Sequence, residues 1–232
     1  MAGRMPLLLL PGLLCDARLW REQAQALADV ADASVPDLTL DDSIAAMAAR
    51  VLACAPERFA LAGLSMGGYV AFEILRQQPS RVSRLTLFDT SAAPDSPGRA
   101  RQRRMGIAAI RQGRFVGVTR RLLPRLVHAR YVDGPVGAEV QAMAQRVGAD
   151  AYLRQQTAIL NRIDARPLLP AIKVPTLVVV GADDVMAPPA GSEAIAAAIP
   201  GAVLHRLAGC GHLPPMELPA ESTALLRDWL RG

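Results

Sequence analysis

The sequence predicts an α/β fold: a mostly parallel sheet of about six strands, helices on both faces, and a helical segment inserted between two core strands. Short apolar runs recur with helix-patterned stretches between them, which is how a parallel sheet covered on both sides reads in sequence. Between Thr90 and Arg166 the alternation stops, and helix-favouring sequence continues without a strand-like run. A chain of 232 residues accommodates one substantial core with an insertion, not two independent domains.

In chain order, Pro6 to Leu10 is the first apolar run, followed by a helical pattern from Ala17 to Ala28 and a second strand-like run from Ala33 to Pro36. Ser43 to Ala55 is helical, with Asp42 in the place of an N-cap. Phe59 to Leu64 forms the third strand, and Met66 to Gln78 the helix after it, stopped by Pro79. Leu85 to Phe88 is the fourth strand. The inserted segment opens with Ala93-Pro-Asp-Ser-Pro-Gly98, breaks near Gly113, Pro124 and Gly134-Pro135, and closes before Pro167. Residues 1–91 and 166–232 are therefore expected to form the core and residues 92–165 a helical lid over one edge of the sheet. Strands resume at Thr176 to Val180 and Val203 to Leu207; helices follow at Ala190 to Ala198, ended by Pro200, and at Pro219 to Leu230.

Composition narrows the function classes. Aromatic residues make up only 4% of the chain, so aliphatic side chains must fill the core. Cys15, Cys54 and Cys210 are an odd number without a short paired spacing, which fits a reducing cytoplasm rather than a disulfide framework or a metal site. The start, Met1 to Cys15, has the outline of an export signal, but Leu14 stands where a cleavage site wants a small side chain, and the run serves better as a buried strand with its loop. No run of 18 apolar residues predicts a membrane span. The net charge is +5, and ten arginines fall between Arg99 and Arg130. Without interleaved aromatics they do not describe a single-strand nucleic-acid binder. They read as a solvated helical surface or as a docking face for an acidic acyl-carrier partner.

The residues that point to chemistry begin with Gly63-Leu64-Ser65-Met66-Gly67, a Gly-x-Ser-x-Gly pattern at the junction of the third strand and its helix. Such a match arises by chance about 0.05 times per chain, so its strand-to-helix context carries the weight. The sharp turn strains the serine backbone and leaves no room for a Cβ at Gly63 or Gly67. A serine hydroxyl needs a base, and the base needs an acid to orient it. His212 follows the last strand on a loop and fits the base; His128 reads as packing in the inserted segment and His205 as a structural residue inside a strand pattern. Asp184, just past the strand Thr176 to Val180, is the favoured acid, with its neighbour Asp183 and the strand-end Asp89 as rivals.

The order Ser65, Asp184, His212, together with Leu10-Pro11-Gly12-Leu13, Gly181-x-x-Asp184-x-x-x-Pro188 and Gly211-His212-x-Pro214-x-x-Glu217-x-Pro219, resembles the α/β-hydrolase superfamily over nearly the whole chain. Asp164 to Leu177 is similar to the return from lid to core in the carboxylesterase, enol-lactonase and pimeloyl carrier-protein methyl ester esterase group. The resemblance implies hydrolysis of an ester, lactone or thioester of a small-molecule acyl substrate through an acyl-enzyme, without a cofactor or a metal. It implies an oxyanion hole from the backbone N–H groups of Leu13 and Met66, and an acyl pocket for which Leu14, Cys15, Val185 and Leu213 are the candidate lining. Cys15 reads as a small buried hydrophobe, not a nucleophile. Two departures stand out: Pro11-Gly12 replaces the common His-Gly, and the usual first two strands have no counterpart, which leaves about six strands and an edge to be covered. The same triad also serves carbon–carbon hydrolases, cofactor-free haloperoxidases and slow-turnover ligand-binding proteins, which the residues alone leave open.

Overall fold

The computed structural model of the chain describes residues 4–232; the first three residues of the expected core segment, and of the apolar start weighed as an export signal, lie outside it. Six strands, β1 (Met5–Leu10), β2 (Ala31–Ser34), β3 (Phe59–Leu64), β4 (Val82–Phe88), β5 (Thr176–Gly181) and β6 (Val203–Leu207), form one sheet in the order β2-β1-β3-β4-β5-β6. Every pairing is parallel. Among the described residues, eight α-helices accompany them: α1 (Arg21–Ala26), α2 (Ile44–Cys54), α3 (Met66–Gln77), α4 (Pro97–Arg111), α5 (Pro135–Leu160), α6 (Pro189–Ala198), α7 (Pro214–Glu217) and α8 (Pro219–Arg231).

The strand sequences explain the layering. Successive side chains of a strand point to opposite faces, so Leu8 and Leu10 of β1 pack with Leu61 of β3 under α2, α3 and α6, while Leu7 and Leu9 pack with Ala60 and Ala62 on the face of α1 and α8. The register pairs Leu10 with Gly63, Leu64 with Phe88 and Phe88 with Val179, so β1, β3, β4 and β5 end at one level. The chain turns from β1 to β2 on one side and to β3 on the other. That reversal opens a crevice at the carboxyl ends of the strands.

Several boundaries differ from expectation. β2 pairs from Met5↔Ala31 to Leu8↔Ser34, two residues earlier than the run Ala33 to Pro36, because Pro36 has no N–H for a ladder. The first helical pattern is a 3-10 turn, Ala17–Trp20, capped by Asp16 and continued by the short α1. Ser43, not Asp42, caps α2: its hydroxyl accepts the Ala46 N–H at 3.2 Å. No further strand pairs with β2 among the described residues, and its four-residue length with exposed Asp32 and Ser34 limits the open edge.

The segment between β4 and β5 contains α4, α5 and 3-10 turns, with no strand. Its two ends meet, since the Ala165 N–H donates to the Ala92 carbonyl at 2.9 Å. α5 is interrupted at Gly148, whose φ of 78° lies in the left-handed region. A buried ion-pair cluster ties the segment together: Asp95 accepts from Arg103 at 2.8 Å and from Arg162 at 2.9 Å, and its side chain is 2% exposed. Burial opposes ionisation of Asp95, but the two arginines outweigh it and hold the carboxyl below the ordinary carboxylate range. Because the folded-state value is depressed, the stability this contributes is present above the ordinary Asp value of 3.8 and is lost as pH falls below it. Asp95→Ala strands two largely buried guanidinium groups and should cost about 3–5 kcal/mol, measured by urea unfolding at neutral pH, with the gap to wild type closing toward acid pH.

Candidate active site

Ser65 stands between β3 and α3 with φ 53° and ψ −112°, a strained conformation for a residue with a Cβ. The turn closes only because its neighbours are glycines: a Cβ on Gly63 would lie 2.5 Å from the Gly67 carbonyl oxygen, and one on Gly67 would lie 2.2 Å from that of Leu10. The Ser65 N–H donates to Phe88 O at 3.0 Å, and Thr90 Oγ1 donates to Ser65 O at 2.7 Å, so the end of β4 braces the turn.

His212 follows β6 and is buried. Its Nδ1 lies 2.7 Å from Asp184 Oδ2, and the other carboxylate oxygen accepts the N–H groups of Met186 at 2.7 Å and Ala187 at 3.0 Å. An acceptor carboxylate on Nδ1 leaves Nε2 as the basic nitrogen. Burial opposes the charge on Asp184, yet the His212 imidazole and the N–H donors prevail and hold the carboxyl below its ordinary range. Asp183 is half exposed and instead lies 3.9 Å from His128 Nε2. Asp89 is fully buried and hydrogen-bonded to the Gly181 N–H rather than to His212. Of the three candidate acids, the fold brings Asp184 to the histidine. His205 sits on the exposed edge strand β6.

Ser65 and His212 line one mainly apolar cavity of about 240 Å³, together with Leu13, Leu14, Cys15 and Leu213. No hydrogen bond joins the Ser65 hydroxyl to His212 among the described residues; such contacts commonly tighten only with substrate in place. Neither the Leu13 nor the Met66 N–H has a protein acceptor among the described residues, and Met66 opens α3, where the helix dipole favours negative charge. Val185 does not line the cavity. It is 55% exposed, because drawing the Met186 and Ala187 N–H groups onto Asp184 turns Val185 outward and puts Met186 and Ala187 in the wall. Burial, and then the nearby Asp16 charge, push the Cys15 thiol up to about 12, so it stays protonated. A larger pocket of about 370 Å³ lies beyond Tyr69 and contains none of Ser65, Asp184 and His212.

The roles of two supports escaped the sequence, although Glu217 stands in the motif that follows His212. Glu217 accepts the N–H groups of Gly211 and Leu213, on either side of His212, at 2.8 Å each, and that of His128 at 2.7 Å. Burial pushes its carboxyl above the usual range against the pull of these three donors. The His212 N–H donates to Leu126 O at 3.1 Å, so the histidine loop is docked on the inserted segment. Gln155 of α5, fully buried, accepts the Leu14 N–H at 3.1 Å and donates to Leu38 O, fixing the loop after β1. Leu14 there has φ 58°. Glu217 had a signal, an acidic residue in an otherwise apolar stretch; Gln155 had none.

A family model described as the alpha/beta hydrolase fold matches residues 35–219. The chain belongs to that family. Among its relatives is a pimeloyl-(acyl-carrier protein) methyl ester esterase of Neisseria meningitidis serogroup C, 31% identical over 183 residues, 73% of this chain and 68% of that protein. An esterase structure from Thermogutta terrifontis superposes with a TM-score of 0.90 at 33% identity, covering 99% of this chain and 90% of that one. The enol-lactonase of Burkholderia xenovorans LB400 does so with a TM-score of 0.82 at 26% identity, covering 100% and 93%.

If Glu217 clamps the histidine loop of this hydrolase-family fold, Glu217→Ala leaves three N–H groups without an acceptor and should lose about 3 kcal/mol or more of stability. Glu217→Gln keeps the carbonyl oxygen and should lose less. Thermal unfolding of the two variants checks the order.

Proposed function

We propose that the chain is a serine hydrolase that cleaves a carboxylic ester, lactone or thioester through an acyl-enzyme, with Ser65 as nucleophile, His212 as base and then acid, and Asp184 as the group that orients His212. The observation that carries this reading is the 2.7 Å Asp184–His212 hydrogen bond beside a cavity whose wall also holds the strained Ser65. Ser65 Oγ attacks the carbonyl carbon as its proton passes to His212 Nε2. The oxyanion is met by the N–H groups of Leu13 and Met66, an arrangement worth about 3–4 kcal/mol per donor in comparable enzymes. Collapse breaks the bond to the alcohol or thiol, which His212 protonates and which leaves from an ester or thioester but stays tethered in an opened lactone, and a water activated by the same imidazole then frees the acid. Asp184 stays ionised throughout.

The mainly apolar cavity fits an acyl group, and the inserted helices act as the lid that shapes it. Ser65→Ala, with folding confirmed by circular dichroism, should lower kcat for p-nitrophenyl acetate or butyrate by at least about 10³-fold. A variant hydrolysing at the wild-type rate contradicts the proposal.

The arginines of α4 support a finer reading, an ester carried on an acidic acyl-carrier protein. Arg99 and Arg103, four residues apart, face the cavity, and Arg103 is paired with Asp95, a carboxylate it shares with Arg162. Arg101, Arg104 and Arg111 are exposed and have no carboxylate partner among the described residues. A relative named for a carrier-linked ester adds to this. Replacing Arg101, Arg104 and Arg111 together with Glu should raise the KM for a carrier-linked ester about tenfold or more while leaving small esters unchanged; equal effects on both remove the carrier from the account.

A further inference from the structure

Asp89 takes no part in the steps above, yet it is a completely buried carboxyl at their edge. It follows β4 with φ 43°, a left-handed conformation that Asp and Asn tolerate better than other side chains. Its N–H donates to Val179 O at 3.0 Å and its Oδ1 accepts the Gly181 N–H at 2.9 Å, which fixes the carboxyl against the end of β5. Its Oδ2 has no hydrogen-bond donor among the described residues. Asp89, Asp184 and His212 each place one ligating atom within 4.8 Å of the others.

Two carboxyl groups this close and this buried resist double ionisation. Asp184 has three donors for its charge, Met186 N, Ala187 N and His212 Nδ1, whereas Asp89 has one. We propose that Asp89 is a positioning residue: it remains a neutral carboxylic acid, accepts the Gly181 N–H through Oδ1, and presents its Oδ2 proton to Asp184, fixing the carboxylate that orients His212. The role rests on the Ser65–His212–Asp184 reading. The titratable groups around Asp89 are Asp184 on the loop after β5, Cys210 and His212 on the loop after β6, and Glu217 on α7. Burial, then the Asp184 charge, push the Asp89 carboxyl well above its usual range, in keeping with the neutral form.

Asp89→Asn reproduces the neutral acid, with an amide oxygen for Gly181 and an N–H for Asp184, and Asn also tolerates the left-handed backbone. Its kcat for a small ester should stay within about threefold of wild type, and the acid limb of its kcat/KM profile should keep its midpoint. Asp89→Ala should lower kcat about tenfold or more with KM little changed, as the loss of a donor to a charged group predicts. Independently of activity, the infrared spectrum of the wild-type protein at neutral pH should contain the carbonyl stretch of a protonated carboxyl that Asp89→Asn lacks. An ionised Asp89 would stabilise the imidazolium of His212, so an acid limb moved to lower pH in Asp89→Asn overturns the proposal. The absence of the Asp89-dependent band overturns it equally. An inactive wild-type enzyme that shows the band would indict the triad reading and not the protonation of Asp89.

Discussion

The end of β4 holds the elements of the proposed active site in register. Phe88 O accepts from Ser65 N, Thr90 Oγ1 donates to Ser65 O, Asp89 N donates to Val179 O, and Asp89 Oδ1 accepts from Gly181 N. Within three residues the strand fastens the serine turn on one side and the acid-bearing strand on the other. Residues this short in sequence can do so because parallel pairing ends β3, β4 and β5 at one level. A shift of one residue in the register would reverse every side chain of the strand and part these contacts.

The remaining contacts follow from burying polar groups. Asp184, His212, Glu217 and Asp89 lie in an apolar interior, and each carries a cost unless matched by a donor or acceptor. Backbone N–H groups supply most of the match: two for Asp184, three for Glu217 and one for Asp89. Main-chain donors are fixed by the fold, so they hold these side chains with less entropic cost than mobile partners would. The inserted segment joins the same network through Leu126, His128 and Gln155. It therefore helps to place the histidine loop and the loop after β1 as well as walling the cavity.

Much of this was legible in the sequence, and the limits have physical causes. The strands were readable because apolar runs of six residues such as Phe59–Leu64 suit burial on both faces. Ser65 was readable because its turn admits only glycine on either side. Asp184 was favoured from its place just past β5, but Asp183 and Asp89 stayed in contention, since which carboxylate reaches His212 depends on how the turn after β5 folds. That same turn sent Val185 outward and brought in Met186 and Ala187. The cap of α2 went to Ser43 rather than Asp42 for a comparable reason: one residue of backbone phase decides which side chain meets a free N–H. The role of Gln155 depends on contacts more than a hundred residues apart, which no local pattern encodes.

The central claim is that the fold activates Ser65 through His212. Its most direct test is the rate and place of covalent labelling by a fluorophosphonate, read by intact-protein and peptide mass spectrometry across pH. One label per chain, on the peptide containing Ser65, forming faster as the imidazole loses its proton and hardly at all in His212→Ala, is the result this account predicts. Labelling that falls on another residue, or proceeds at an equal rate in His212→Ala, would contradict it.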